Sequence, residues 1–248
     1  MSGHNKWSTI KRKKGAVDAK RGKLFSKLIK EITVAARMGG GDETGNPRLR
    51  SAVLTARAAN MPRDNIDRAI KRGTGEIEGV EYLEISYEGY GPAGIAVVVD
   101  VLTDNKNRTV GEVRHLFTKH GGNLAQNGAV GWKFETKGVI TVSETTEETL
   151  FEAALEAGAE DIQKGEDGEF YVYCEYTETE SVREALDSAG FTIEAAELQK
   201  LATTPVNIDE KDAPKVLRLI EALEDNDDVQ KVWSDFEIDD AILESLSN

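Results

Sequence analysis

Residues 135–202 read ETKGVITVSETTEETLFEAALEAGAEDIQKGEDGEFYVYCEYTETESVREALDSAGFTIEAAELQKLA, and this stretch decides the fold. Val139-Ile140-Thr141-Val142 is a β-branched run of strand length. Thr145-x-x-Glu148 spells a capping box, in which the two side chains satisfy backbone donors that a helix start leaves open. A helix is therefore expected over 146–157, closed by Gly158. A strand near 159–164, an Asp167-Gly168 turn and a strand from Phe170 to Tyr176 follow. A helix over 179–189 stops at Gly190, and a last strand starts at Phe191. The order βαββαβ is that of a ferredoxin-like split βαβ unit.

The flanks complete a second sheet of similar plan. Leu83, Ile85 and Tyr87 alternate with Glu84, Ser86 and Glu88, which is a half-buried strand. Ile95-Ala96-Val97-Val98-Val99 is a continuous apolar strand. A helix over 107–120 turns Val110, Val113, Leu116 and Phe117 inward and ends at Gly121. Val130, Trp132 and Phe134 alternate as a further strand. Beyond the Pro205 linker come a helix near 210–224 and a strand near 229–236. Together these pieces make an α+β unit formed by 79–134 and 206–248, with 135–205 inserted in it. The test of that connectivity is whether 206–236 packs on the strands at 83–102.

The N-terminal 78 residues read differently. Leu24, Phe25, Leu28, Ile29, Ile32 and Ala35 recur at three- and four-residue spacing, so a helix from about Asp18 to Met38 buries one side. Lys20, Lys23, Lys27 and Lys30 gather on the other, and Gly39-Gly40-Gly41 ends it. Asn46-Pro47 is a cap followed by a first-turn proline, opening a helix to about Ala59. Met61-Pro62 opens a third, expected to stop at Gly73. The fold class is thus multi-domain α+β: a three-helix domain at 1–78, then two ferredoxin-like α+β domains, one inserted in the other.

Charge divides along the same boundary. Residues 1–78 hold 18 Lys/Arg and 8 Asp/Glu, a net of +10. The rest holds 13 and 37, a net of −24, and the whole chain −14. Lys11-Arg12-Lys13-Lys14 is too like-charged to compact by itself, so residues 1–17 read as a flexible basic arm. Lysine and arginine neutralise phosphates and release condensed counterions, which makes this segment the candidate nucleic-acid contact. The residues assigned to it are Lys6, Lys11, Arg12, Lys13, Lys14, Lys20, Arg21, Lys23, Lys27, Lys30, Arg48 and Arg50, with Trp7 placed to stack on an unpaired base. The polar run Thr103–Thr109 has two compatible readings. One is helix capping by Asn or Asp; the other is a second contact made by Asn105, Asn107, Arg108 and Arg114.

Other motifs dissolve on inspection. Gly89-Tyr90-Gly91-Pro92-Ala93-Gly94 fits G-x-G-x-x-G literally, but it lies between two strands with a proline inside, so it reads as a turn. Asp225, Asp227 and Asp228 resemble a calcium loop, yet Gln230 and Phe236 stand where Gly and Glu are required, leaving a solvated acidic surface. Cys174 is the one cysteine and excludes an internal disulfide. His4, His115 and His120 have no metal-site spacing and no nucleophile beside them. No metal, cofactor, catalytic group or small-molecule substrate is expected, no membrane partner, and a cytoplasmic location.

Several longer motifs carry a family resemblance. Gly3-His4-x-Lys6-Trp7, Lys20-Arg21 with Phe25, Asn46-Pro47-Arg48-Leu49-Arg50, Asn60-Met61-Pro62-Arg63-Asp64 and Arg68-Ala69-Ile70 are the N-terminal ones. Tyr87-Glu88-Gly89-Tyr90-Gly91-Pro92, Leu102-Thr103-Asp104-Asn105-x-Asn107-Arg108-Thr109 and Gly121-Gly122-Asn123-Leu124 continue them. In this order they resemble the YebC/PmpR proteins over nearly the whole chain. Ala129 departs from the Gly-Ser-Val usual there, so any role of that serine is lost. The resemblance implies three domains and a non-enzymatic DNA-binding transcriptional regulator. Mitochondrial and some bacterial relatives look like translation factors, which implies ribosomal RNA and the ribosome as alternative partners. A ligand-sensing or protein-interaction module, and an enzyme using the abundant acids, are the readings of other classes; the latter lacks a nucleophile or cofactor motif.

Overall fold

The computed structural model describes residues 17–165, 168–239 and 242, and only the backbone of 17–20. The arm residues Lys6, Trp7, Lys11, Arg12, Lys13 and Lys14 lie outside the described residues, as does Asp167 of the expected turn. The N-terminal unit comprises α1 (Val17–Gly39), α2 (Pro47–Ala58) and α3 (Arg63–Thr74). Its core is Leu28, Ile32, Ala35 and Ala36 against Leu49, Val53, Ala56, Ile66 and Ala69. Asn46 caps α2: its Oδ1 accepts from the Leu49 amide at 3.1 Å, and its Nδ2 donates back to the Ala35 carbonyl at 2.8 Å. One buried side chain thereby ties the start of α2 to the end of α1.

Helix α3 runs past Gly73 and is closed by Gly75, whose φ of +82° is the left-handed conformation a C-terminal glycine adopts at little cost. Gly73 serves packing instead. A Cβ there would lie 2.4 Å from the Thr33 carbonyl oxygen and 2.7 Å from the Ala36 Cβ. The glycine that sequence order offers as a stop is the place where α3 crosses α1.

The first sheet has the order β3-β1-β2-β9, with β1 Leu83–Tyr90, β2 Ala96–Thr103, β3 Asn123–Leu124 and β9 Val229–Ser234. All its pairings are antiparallel, and β9 pairs with β2 from Val97↔Ser234 to Val101↔Val229. Helices α4 (Lys106–Lys119) and α7 (Ala213–Glu224) cover one face, burying Phe117, Leu219, Ile220 and Leu223 on Val97, Val99 and Val101. Between Val130 and Phe134 the expected alternating strand is absent: residues 131–133 form a 3-10 turn, Val130 is buried and Trp132 is 73% exposed. Phe134 begins β4 of the other sheet, opposite Ala202. A short parallel pair, β8 (Val206–Ile208) with β10 (Phe236–Ile238), closes the first core and was not anticipated.

The second sheet has the order β5-β6-β4-β7, with β4 Phe134–Ser143, β5 Asp161–Lys164, β6 Phe170–Glu175 and β7 Thr192–Ala202. Helices α5 (Glu147–Glu156) and α6 (Thr179–Ser188) pack Leu150, Ala154, Val182 and Leu186 on Ile140, Val142 and Val172. The cap of α5 sits one residue later than the motif implies: Thr146 Oγ1, not Thr145, accepts from the Thr149 amide.

Two glycine substitutions probe this packing with opposite signs. Gly73→Ala forces the α1–α3 crossing apart and lowers unfolding stability by about 2 kcal/mol. Gly111→Ala meets nothing within 4 Å on exposed α4, and raises stability by about 0.5–1 kcal/mol through helix propensity. Urea denaturation of the two variants reads both.

Candidate nucleic-acid interface

The α1 lysine row, expected to face phosphate, faces the C-terminal end of α7. Lys23 Nζ donates to the Asp225 carbonyl at 3.1 Å and to its carboxylate at 3.0 Å. Lys27 Nζ reaches the Glu224 carbonyl at 2.5 Å, and Lys30 Nζ the Asp227 carbonyl at 2.9 Å. The last carbonyls of a helix have no partners within it and carry the negative end of its dipole, so a row of ammonium groups is their natural complement. Lysines spaced by three and four residues on α1 present that row to one helix end.

The row converges on Asp228, which is buried and not part of a solvated surface. Its Oδ1 accepts from Lys30 Nζ at 2.7 Å; its Oδ2 accepts from Arg108 Nη2 at 2.8 Å, Thr109 Oγ1 at 2.7 Å and Thr103 Oγ1 at 3.1 Å. The side chains of Asp228 and Lys30 are 7% and 14% exposed. Burial pushes the Asp228 carboxyl up, but the hydrogen bonds from Arg108, Lys30 and Thr109 outweigh it and hold the group well below the usual carboxylate range. Arg108 also pairs with Asp104 at 2.7 Å, and its guanidinium is held charged by both partners. A shallow pocket lined by Lys23, Arg108, Glu112 and residues 225–228 opens beside this node.

The remaining assigned residues separate in the same way. Arg48 bridges Glu31 at 2.7 Å and Glu84 at 3.0 Å, linking α1 to β1. Arg50 pairs with Glu180 of α6 and donates to the carbonyls of Glu43 and Thr44. Ser51 Oγ donates to the Ala196 carbonyl at 2.6 Å, so α2 is packed on β7. Asn105 caps α4, its Oδ1 accepting from the Arg108 amide at 3.1 Å. Asn107 and Arg114 are exposed. Arg21 is exposed with its guanidinium 5.4 Å from the Phe25 ring centroid, and Lys20 lies in α1 with its side chain outside the described residues. Lys23, Lys27, Lys30, Arg48, Arg50 and Arg108 are therefore engaged within the chain, a correction to their reading as an open phosphate surface. The cause is the acidic body itself, which supplies partners that an isolated helical domain would lack.

Helix α3 carries the cations that sequence reading passed over. Arg68, Lys71 and Arg72 make no ion pair with any described residue, and Arg63 has only Asp67 at 3.7 Å. Arg63, Arg68 and Lys71 are exposed. The signal was available: α3 buries Ile66, Ala69 and Gly73, so the basic positions between them must face outward.

A helical unit with one open basic helix, clasped to an acidic two-sheet body, defines the class as a multi-domain α+β protein. The chain belongs to the TACO1/YebC family: the family's N-terminal domain matches residues 5–76, and its second and third domain match residues 82–236. A probable transcriptional regulatory protein of Geobacter sulfurreducens is 58% identical over 247 residues, 99% of this chain and 100% of its own. One of Persephonella marina is 57% identical over 251 residues, covering both chains in full. The crystal structure of a conserved hypothetical protein of Aquifex aeolicus superposes with a TM-score of 0.83 at 52% identity, over 91% of this chain and 93% of that one. The resemblance carried by the sequence motifs is thus a family membership.

The Asp228 node makes a stability prediction with a pH signature. Asp228→Asn leaves Lys30 and Arg108 facing a neutral group and costs about 3 kcal/mol at pH 7. A carboxyl depressed in the folded state stabilises above its unfolded pKa and loses that contribution as pH falls towards its folded value. The gap between wild type and variant is therefore constant above about pH 5 and narrows below about pH 4. Urea titrations across that range measure it.

Proposed function

We propose that this chain is a non-enzymatic regulator of gene expression that binds nucleic acid through its basic arm and the open face of α3, as a DNA-binding transcriptional regulator. The observation that supports it is the set of α3 cations without carboxylate partners on the unit that also bears the arm. On a chain of net charge −14, such a set is where a polyphosphate can approach. The naming of the relatives as probable transcriptional regulatory proteins points to the same role. Cys174 is buried, with burial pushing its thiol up, so it is a poor nucleophile. Among the described residues no helix is long and apolar enough to cross a membrane, which accords with a cytoplasmic site of action. The reading carries with it a division into 1–78, 79–134 with 206–248, and 135–205, the last inserted in the second.

A second reading, translational regulation on ribosomal RNA, is supported by one feature. Helix α2 is packed against β7 and cannot enter a major groove, leaving α3 and the arm to meet a backbone by shape and charge. Crosslinking in cells, followed by sequencing of both DNA and RNA, separates the readings. Promoter fragments without ribosomal RNA support the first; enrichment on ribosomal RNA replaces it with the second.

In vitro, the triple variant Arg68→Glu, Lys71→Glu, Arg72→Glu weakens binding, and the slope of log K against log salt falls by about 2–3 units. Deleting residues 2–21 removes most of the remaining affinity. Binding undiminished in both variants contradicts the assignment.

A further inference from the structure

The opposite end of the first sheet carries a second set of features that the arm and α3 do not use. Trp132 is the most exposed large apolar side chain among the described residues, at 73%. It is nevertheless held: its indole N–H donates to the Ala129 carbonyl at 3.1 Å, and Tyr90 Oη donates to the same carbonyl at 3.2 Å. Two aromatic rings are thus anchored at one oxygen, both reaching solvent. The loop that supplies this carbonyl is fixed from below, because Glu88 accepts from the amides of Gly128, Val130 and Gly131 at 2.7–2.8 Å.

Cations stand beside this platform. The edge strand β3 pairs Asn123 with Tyr90, and Gly122 lies so close that a Cβ there would be 2.5 Å from the Tyr90 carbonyl oxygen. His120, two residues earlier, ends α4 and is surrounded by Lys119, Arg218 of α7 and His115; after burial, these neighbours hold its pKa down. Arg114, Lys119 and Arg218 are exposed and form no ion pair with any described residue. Asn123, Gln126 and Asn127 expose amides between the cations and the rings. On a body of net −24, a local group of cations without carboxylates is a departure that asks for an anionic ligand.

We infer that this end of the body is a second nucleic-acid site that takes an unpaired segment, its bases stacked on Trp132 and Tyr90 and its backbone held by Lys119, Arg114 and Arg218. The inference rests on the nucleic-acid reading above and deepens it by naming the substrate class. Fixed aromatic rings next to a basic groove are the combination that binds single strands with little sequence preference, since every base has a π-face. Paired bases cannot reach an aromatic ring standing off the sheet, so duplex is excluded from the platform.

The test titrates the full-length protein with a 12-nucleotide oligouridylate, an abasic oligomer of the same length and a duplex of the same length. Trp132→Ala lowers affinity for oligouridylate about tenfold and leaves affinity for the abasic oligomer and the salt slope unchanged. Trp132→Phe retains affinity but loses the part of the emission quench that wild type shows with oligouridylate. Lys119→Glu with Arg218→Glu lowers the salt slope. Equal oligouridylate affinity in wild type, Trp132→Ala and the charge-reversed variant overturns the second site and leaves the rings as a protein contact, while binding that still depends on the arm and α3 preserves the function proposed above. No binding of any of the three oligomers by wild type overturns both.

Discussion

The contact between Lys30 and Asp228 is the constraint around which the three parts of the molecule are arranged. It joins α1 to the loop after α7 across 198 residues of sequence. Neither partner is solvated, so each needs the other: an isolated buried ion would cost several kcal/mol. Arg108, Thr103 and Thr109 complete the coordination of Asp228, bringing the end of β2 and the start of α4 to the same point. Buried ion pairs add little net stability compared with apolar packing, but they tolerate little misplacement. Their effect here is to fix where the helical unit sits on the first sheet. Weaker contacts follow from that placement: Arg48 reaches Glu84, Arg50 reaches Glu180, and Lys200 and Lys231 of the two sheets meet Asp100 and Glu197.

This placement redistributes the charge that the sequence separates so sharply. A segment of +10 beside a body of −24 suggests one basic surface turned to a ligand. The folded chain uses much of that charge internally, with the α1 lysines on the end of α7 and the α2 arginines on β1 and α6. What remains available is narrower: the arm, the outer face of α3, and a small group of cations at the far end of α4. Each remaining set lies where the acidic body offers no carboxylate. The body thus selects which cations stay open, and restricts phosphate to those positions.

Much of the fold was legible because it rests on local signals. The Asn46-Pro47 start, the Gly121, Gly158 and Gly190 stops and the apolar runs of both sheets depend on neighbours in sequence, and the structure follows them closely. The pairing of β9 with β2 was accessible from strand order alone. What failed depended on distant partners. Gly73 looks like a stop, but its Cα touches α1, and only the crossing reveals why a side chain is excluded. Val130, Trp132 and Phe134 alternate in sequence, yet the amides between them are captured by Glu88, which bends the segment into a turn. Asp228 sits in an acidic run that reads as solvated, and nothing local identifies the one member that lysine and arginine enclose. The candidate interface suffered most, since a lysine row has the same spacing whether it faces phosphate or a helix end.

The allocation of charge between clasp and ligand is the centre of this account, and the α1 row tests it. In the double variant Lys23→Gln, Lys27→Gln, both substituted residues belong to the clasp, while the arm, α3 and the Lys30–Asp228 pair are intact. The salt dependence of nucleic-acid binding, measured as the slope of log K against log salt, counts phosphate contacts directly. The account predicts a slope equal to that of wild type, with thermal stability reduced. A slope lower by about 1.5–2 units at unchanged stability would contradict it, and would return the α1 lysines to the ligand.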